Sequence, residues 1–160
     1  MKPFKETQRF DQWWVKLILI IVIAATAIPL YMVFNEAAFR EEMFWPVLIP
    51  VLITVGAILF IYMLRLETTI DAKGIHYRFF PFGKKSLSWQ DISECYVREY
   101  SPLKEFGGWG IRWGFNGKAF NVKGNKGIQV ILKSGKKILF GTQKESEAKN
   151  VILSYKDNFS

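Results

Sequence analysis

With 160 residues, a net charge of +8, 50% hydrophobic and 22% charged residues, and a slightly positive mean hydropathy, the chain is too apolar for an ordinary soluble domain and too charged for a bare membrane span. One histidine and one cysteine exclude an internal disulfide and a zinc site built from Cys and His, which takes three or four such ligands. The composition therefore predicts apolar residues gathered in one part of the chain and charge in another.

Residues 1–14 form a mixed-charge segment with Lys2, Lys5 and Arg9 against Glu6 and Asp11. Two apolar runs follow: "VKLILIIVIAATAIPLYMVF" over 15–34, whose only charge is Lys16, and "FWPVLIPVLITVGAILFIYML" over 44–64, which has none. At about 1.5 Å per residue each reaches roughly 30 Å, the thickness of a bilayer's hydrocarbon core. Two transmembrane helices joined by a short extracytoplasmic loop over 35–43 are predicted. The alternative is a signal peptide cleaved after Ala25-x-Ala27, but the apolar run continues through Ile28 to Phe34, where a signal core should have stopped. A buried core hairpin would need more protein around it than the rest of the chain supplies. Pro29 and Pro50 predict bends and Pro46 suits a first helical turn. Ala24, Ala25 and Ala27 lie at the same depth as Thr54, Gly56 and Ala57, which lets the helices pack closely as an antiparallel hairpin. Neither run has an acid, His or Arg near its middle, which argues against a proton relay or ion pathway.

Flanking charge sets the expected orientation. The loop contains Arg40 as its only cation, beside Glu36, Glu41 and Glu42, whereas Lys and Arg precede the first run and Arg65 follows the second. By the positive-inside tendency both termini and everything after Arg65 are cytoplasmic, at the inner or plasma membrane of the cell. Trp13, Trp14, Tyr62 and Arg65 mark the inner interface, with Lys16 snorkelling to it, and Tyr31, Phe34, Phe44 and Trp45 mark the outer one.

No flexible linker separates Arg65 from "LETTID", so residues 65–160 are expected to sit at the membrane surface. Within them, Thr68 to Ile70, "IHYRFF" from Ile75, "KKSLSW" from Lys84 and "ISECYVREY" from Ile92 alternate at period two between Gly- and Pro-containing turns, the signature of antiparallel strands. Ile111, Trp113 and Phe115 then share one strand face, and Phe120 and Val122 a face of the next. Asn116-Gly117 between them is a strong hairpin signal. "GNKG" at Gly124 to Gly127 is expected to reverse the chain into "IQVILK", and Ser134-Gly135 into "KKILFGT". About seven strands result. "TQKE" at Thr142 to Glu145 has the form of a capping box, and Ala148, Val151, Ile152 and Tyr155 recur at helical spacing. These predict a closing helix over about 143–156.

The segment "GGWGIRWGFNGKAFNVKGNKG" holds seven of the twelve glycines, yet it meets neither the P-loop spacing nor the strand-to-helix context of a dinucleotide fingerprint. Gly117, Gly124 and Gly127 are assigned to turns, and Gly107, Gly108 and Gly110 to a loop or bulge leading into a strand. Cys95, in a strand, reads as a small buried hydrophobe, and His76 as a surface strand residue. Asp91 is expected to bind backbone amides at a turn. No pair of acids has a spacing that demands acid–base work. No catalytic residue, cofactor or metal site is expected.

The order of these parts resembles the bacterial pleckstrin-homology-like (bPH) membrane proteins. The resemblance is carried by "GIHYRFFPFGKKSLSWQDISECYV" at Gly74 to Val97, with its Trp-x-Asp-Ile step, and by "GIQVILKSGKKILFGTQKESEAKNVI" at Gly127 to Ile152, where a last hairpin runs into the closing helix. Together with the membrane hairpin it covers most of the chain. It implies an α+β membrane protein: a two-helix transmembrane hairpin followed by a PH-like antiparallel β-barrel or sandwich with one C-terminal helix. It also implies a non-enzymatic, membrane-tethered module, and carries over no catalytic residue.

From Arg65 on there are 17 Lys and Arg against 9 Asp and Glu, so this segment holds the whole net charge. Lys84, Lys85, Lys118, Lys123, Lys126, Lys136 and Lys137 fall at predicted turns and strand ends. Anionic headgroups attract such residues, and a merely solvated basic surface reads equally well. Nucleic acid is not expected as a partner, because RNA readers need an aromatic platform that this pattern does not specify. The expected role is a binding or scaffold module contacting membrane lipids and a protein partner. Trp109, Arg112 and Trp113, with Lys123 and Lys126, are the candidate contact patch, since aromatics and Arg dominate interfaces; for Trp113, core packing is an equal alternative. A peptide would add to a strand edge or lie between sheet and closing helix. The rival role is an accessory subunit of a larger membrane complex that docks through its hairpin.

Overall fold

The computed structural model describes residues 2–35, 44–114 and 116–155. Most of the expected 35–43 loop, the face assignment of Phe115 and the last residue of the expected closing helix lie outside the described residues, as do the side chains of Phe34 and Phe44. The chain divides into two compact units, residues 10–63 and residues 1–9 with 64–160.

The first unit is helical. Helix α1, Trp13–Asn35, contains Pro29, and helix α2, Phe44–Met63, contains Pro50. Among the described residues one helix, over Trp13–Val33 with mean hydropathy 2.3, has the length and composition of a membrane-crossing helix or a signal sequence; the apolar stretch of α2, Leu48–Met63, is shorter. The two helices touch, and the Thr26 and Thr54 hydroxyls share a hydrogen bond of 3.2 Å. Thr26 also donates to the Val22 carbonyl one turn back, at 2.7 Å, so both hydroxyls are satisfied inside the apolar pair, where an orphaned one would be costly.

The second unit is a sandwich of two sheets. Strands β1 (Phe4–Arg9), β2 (Arg65–Asp71), β3 (Gly74–Phe80) and β4 (Lys84–Ser88) form the first, in that order and all antiparallel. Strands β5 (Ile92–Glu99), β6 (Gly110–Gly114), β7 (Gly117–Asn121), β8 (Lys126–Leu132) and β9 (Lys137–Gly141) form the second, in the order β5-β8-β9-β7-β6. The described residues thus hold nine strands where about seven were expected. A short helix α3, Pro102–Phe106, unforeseen in the sequence, precedes the glycine-rich segment, and helix α4, Glu145–Ser154, closes the unit.

Period-two alternation is strict in β1, in β2 and, from Ile75 on, in β3, whereas β4 buries none of its residues. Phe4, Glu6 and Gln8 of β1, Leu66, Thr68 and Ile70 of β2, and Tyr77 and Phe79 of β3 are buried, while the residues between them face outward. Aromatic rings join the two sheets. Tyr77 lies 4.8 Å from Phe120 and 4.6 Å from Phe140, which stack on each other at 5.8 Å. Offset rings at these separations add to the area that they bury.

Three expectations need correction. Residues 1–14 are not merely a charged leader, because Phe4–Arg9 pairs with β2 along its own full length, from Phe4↔Ile70 to Arg9↔Arg65. β7 and β8 are not a hairpin around "GNKG": β8 pairs with β5 and β9, and β9 lies parallel to β7 from Lys118↔Ile138 to Phe120↔Phe140. A parallel neighbour requires a crossover, and the chain from β7 to β8 supplies it by passing β9. Finally, Thr142 does not open a capping box. Helix α4 starts later, with Lys144 at its N-cap and no side-chain cap.

Thr142 is engaged elsewhere. Its hydroxyl donates to Glu6 Oε2 at 2.6 Å, and the Gln143 N–H donates to Glu6 Oε1 at 2.7 Å. Gln8 Nε2 donates to the Gly141 carbonyl at 2.6 Å, and Lys144 Nζ to the Lys5 carbonyl at 3.3 Å. The buried polar residues of β1 thereby tie the N-terminal strand to the end of β9. Replacing Glu6 with alanine strands a buried hydroxyl and an amide, and should cost about 1–3 kcal/mol. Chemical denaturation of the detergent-solubilised chain should show that loss, and hydrogen exchange should show it concentrated in Phe4–Arg9.

Candidate functional site

The glycine-rich segment begins where α3 ends. Pro102 starts that helix, the Ser101 hydroxyl caps it by accepting from the Lys104 N–H at 3.4 Å, and Gly107 ends it in the left-handed region at φ 69°. The N–H groups of Gly107 and Gly108 satisfy the Leu103 and Pro102 carbonyls at 3.0 and 2.9 Å. Glycine is used here because a Cβ disfavours that conformation. The segment is a helix stop followed by an edge strand. At the far end of that strand, Gly114 pairs with Gly117; Gly117 has φ 96°, and a Cβ there would fall 2.2 Å from the Lys137 carbonyl oxygen.

The candidate patch separates into three environments. Trp109 donates from Nε1 to the Gly124 carbonyl at 3.1 Å, and its own carbonyl accepts from Arg112 Nε at 3.0 Å. The Gly110 N–H between them donates to Asn121 Oδ1 at 2.9 Å, and Asn121 Nδ2 donates to the buried Tyr100 hydroxyl at 3.0 Å. Trp109 and Arg112 therefore shape the corner of the sheet. Trp113 lies on the opposite face of edge strand β6 from Arg112, with 72% of its surface exposed, and not in the core. Lys118, its register partner on β7, holds its ammonium 4.4 Å from the Trp113 ring and 4.8 Å from that of Phe120, a cation–π arrangement. Partial burial, and then the like charge of Lys85, push the Lys118 ammonium below its usual range.

Lys126 is not an open cation: its ammonium lies 3.0 Å from Glu99 and 3.6 Å from Glu145, and the Glu99 bond chiefly raises its pKa. The Lys123 carbonyl accepts from Gln143 Nε2 at 3.0 Å. Both residues serve the β7–β8 connection. Of the expected interface residues, Trp13, Lys16, Trp45 and Tyr62 are exposed, Trp14 is half-buried, and Arg65 is a strand residue paired with Glu67 at 2.8 Å.

Two polar clusters escaped sequence reasoning. Arg98 donates to both carboxylate oxygens of Glu105, at 3.3 and 2.7 Å, and the Ser101 N–H and Asn116 Nδ2 donate to the same group at 2.8 and 3.0 Å. The Arg98 bonds, aided by the other two and opposed by partial burial, hold Glu105 at about 2. On the first sheet, His76 stands between Ser86 Oγ, 2.9 Å from Nδ1, and Asp71 Oδ1, 3.2 Å from Nε2. Burial is the largest single influence on Asp71 and opposes its ionised form, but the Lys73 N–H, His76 and the Gly74 N–H together outweigh it and lower its pKa. Ser86 is the cross-strand partner of His76 on β4, an exposed edge strand, so register alone explains their contact. Cys95 is buried and its thiol is pushed up to about 12, which leaves it inert as a nucleophile at neutral pH. Among the described residues no group of His, Cys, Asp and Glu could hold a metal ion.

Because the folded-state pKa of Glu105 is depressed, its stabilising contribution is present above pH 4.5 and lost as pH falls from there towards 2. Glu105→Gln should cost about 2 kcal/mol at pH 7, allowing for screening of a pair whose side chains are each 23% exposed. The cost should vanish near pH 2, as measured by denaturation at both pH values. No protein-family model, curated protein or solved structure matches the chain.

Proposed function

We propose that the chain is a membrane-anchored, non-enzymatic binding or scaffold module of PH-like type, with the apolar helices crossing the inner or plasma membrane as a hairpin and the β-sandwich on the cytoplasmic side. The observation that carries this reading is the pairing of β1 with β2. One strand precedes α1 and the other follows α2, so the chain leaves and re-enters a single sheet at Arg9 and Arg65. If α1 crosses a membrane, α2 must cross back. The Thr26–Thr54 bond and the close contact of the helices fit such a hairpin. Cleavage as a signal peptide would also remove β1, together with the bonds of Glu6 and Gln8 to the end of β9.

For the binding role, the support is the edge strand β6. It combines an edge left unpaired by every strand among the described residues with an exposed Trp113 held beside Lys118, the combination that accepts an added peptide strand with an aromatic anchor. The rival role, an accessory subunit docking through its hairpin, is favoured by the apolar residues exposed along α1 and α2, which suit lipid and subunit alike.

Two measurements test the reading. Cysteines placed at Lys2 and at Ser134 should both be labelled from the cytoplasmic side only; labelling of the two from opposite sides would exclude the hairpin. Trp113→Ala with Lys118→Ala should weaken co-purification of a protein partner by about tenfold, as expected for loss of one aromatic hot spot, with no loss of membrane association. If the partner is instead lost when the hairpin is exchanged for an unrelated one, the accessory-subunit role is correct.

A further inference from the structure

The strand register lays out the outer face of the first sheet in rows. Arg9, Arg65 and Phe80 are direct neighbours across β1, β2 and β3. The next row is Thr7, Glu67, Arg78 and Lys84, and the third is Lys5, Thr69, His76 and Ser86. This face carries Lys5, Arg9, Arg65, Arg78 and Lys84 against Glu67 and Asp71. Both carboxylates are already engaged, Glu67 by Arg65 at 2.8 Å and Asp71 by His76 at 3.2 Å. Lys5, Arg9, Arg78 and Lys84 have no ion-pair partner among the described residues. The Arg65 and Arg78 guanidinium groups each lie 4.9 Å from the Phe80 ring. A groove of 560 Å³ crosses the rows, lined among others by Lys5, Thr69, His76, Arg78 and Lys84.

From this placement we infer that the outer face of the four-stranded sheet docks on the anionic headgroups of the leaflet in which the chain is anchored. The inference rests on the proposed anchoring and adds to it the surface used and the lipid class recognised. Connectivity is what selects a membrane as the occupant. Leu64 alone separates Met63 of α2 from Arg65, a reach of about 8 Å for two Cα steps, and residues 10–12 separate Arg9 from α1, about 15 Å at most. The Arg9–Arg65–Phe80 row is therefore tethered at both β1 and β2 to the ends of the apolar helices. With the helices spanning the bilayer as proposed, these reaches keep Arg9 and Arg65 near headgroup depth. Successive rows follow at about 6–7 Å, within a Debye length of about 8 Å from one row to the next. Attraction of one row thus brings down the next. Phe82, 63% exposed in the β3–β4 turn beside Lys84 and Lys85, supplies an apolar ring at the same rim, where aromatic residues favour the interface. With this face down, the five-stranded sheet is turned to the solvent, so leaflet charge controls how the binding edge is presented.

The full chain is reconstituted in vesicles of phosphatidylcholine alone and with about 30% phosphatidylglycerol, an anionic surface of the kind that draws basic segments down. A fluorophore is placed at Thr69→Cys on the face or at Ser134→Cys in the β8–β9 turn, and its quenching by headgroup-nitroxide lipid is read. The buried Cys95 is spared by the label. Quenching at position 69 should rise about twofold with the anionic lipid and stay unchanged at 134. Arg78→Gln with Lys84→Gln, or high salt on the unsubstituted protein, should abolish the rise. Equal quenching on both vesicle types, in chain that survives a carbonate wash, overturns the docking inference and leaves the anchoring intact. Release by carbonate overturns the anchoring and the inference together. Quenching that ignores the lipid while polyglutamate binds the unsubstituted chain but not the double variant assigns the face to an acidic protein and overturns the lipid assignment.

Discussion

The pairing of β1 with β2 is the constraint on which the rest of the molecule depends. Six consecutive register partners join a strand before the first apolar helix to one after the second, so the helices form a closed excursion from one sheet edge region. Glu6 makes this closure tight. A carboxylate buried in an apolar sandwich is tolerated only with its oxygens satisfied, and Thr142 and Gln143 supply those donors from 136 and 137 residues away. β1 is thereby held by the first sheet along its length and by the end of the second sheet through its side chains. Losing it would expose Leu66, Thr68 and Ile70 of β2, which are buried with it in place.

From that closure follows a division of surfaces. The inner faces of the two sheets meet through Tyr77, Phe120 and Phe140, leaving charge to the outer faces and rims. On the first sheet the cations outnumber the acids and the acids are engaged, so the face is electrostatically unsatisfied. On the second sheet the opposite holds around α3 and the β7–β8 connection, where Arg98 with Glu105 and Lys126 with Glu99 and Glu145 close most of the charge internally. The outer face of the first sheet, with five cations against two acids, thus holds +3 of the chain's net +8.

The candidate patch was legible only in part. An alternating pattern of Ile111, Trp113 and Phe115 places three residues on one side of a strand but does not say whether that side is covered. Trp113 is exposed because β6 is the edge of its sheet, a fact of strand order. Lys126 resembles any other turn lysine until folding places Glu99 and Glu145 beside it. Trp109 and Arg112 lie three residues apart in a glycine-rich run, and their side-chain bonds to backbone carbonyls turn that run into a defined corner.

Local periodicity was enough for β2, β3, β5, the β8–β9 hairpin and the last helix, which bury residues at the spacing expected, whereas length and composition marked the largely exposed apolar runs and flanking turn residues marked the exposed strand β4. β1 was hidden because two of its three inward residues, Glu6 and Gln8, are polar and read as solvated until their distant partners are known. Helix α3, five residues long, is too short for a helical period to emerge. The parallel alignment of β7 with β9, the neutralisation of Lys126 and the gathering of unpaired cations on one sheet face depend on which strands become neighbours. The sequence by itself determined most of the elements and the sites of charge; only the tertiary structure decided their partners, because burial of a face is a local property of spacing, while a buried carboxylate such as Glu6 is satisfied by groups 136 and 137 residues away and a surface cation such as Lys126 by one 27 residues away.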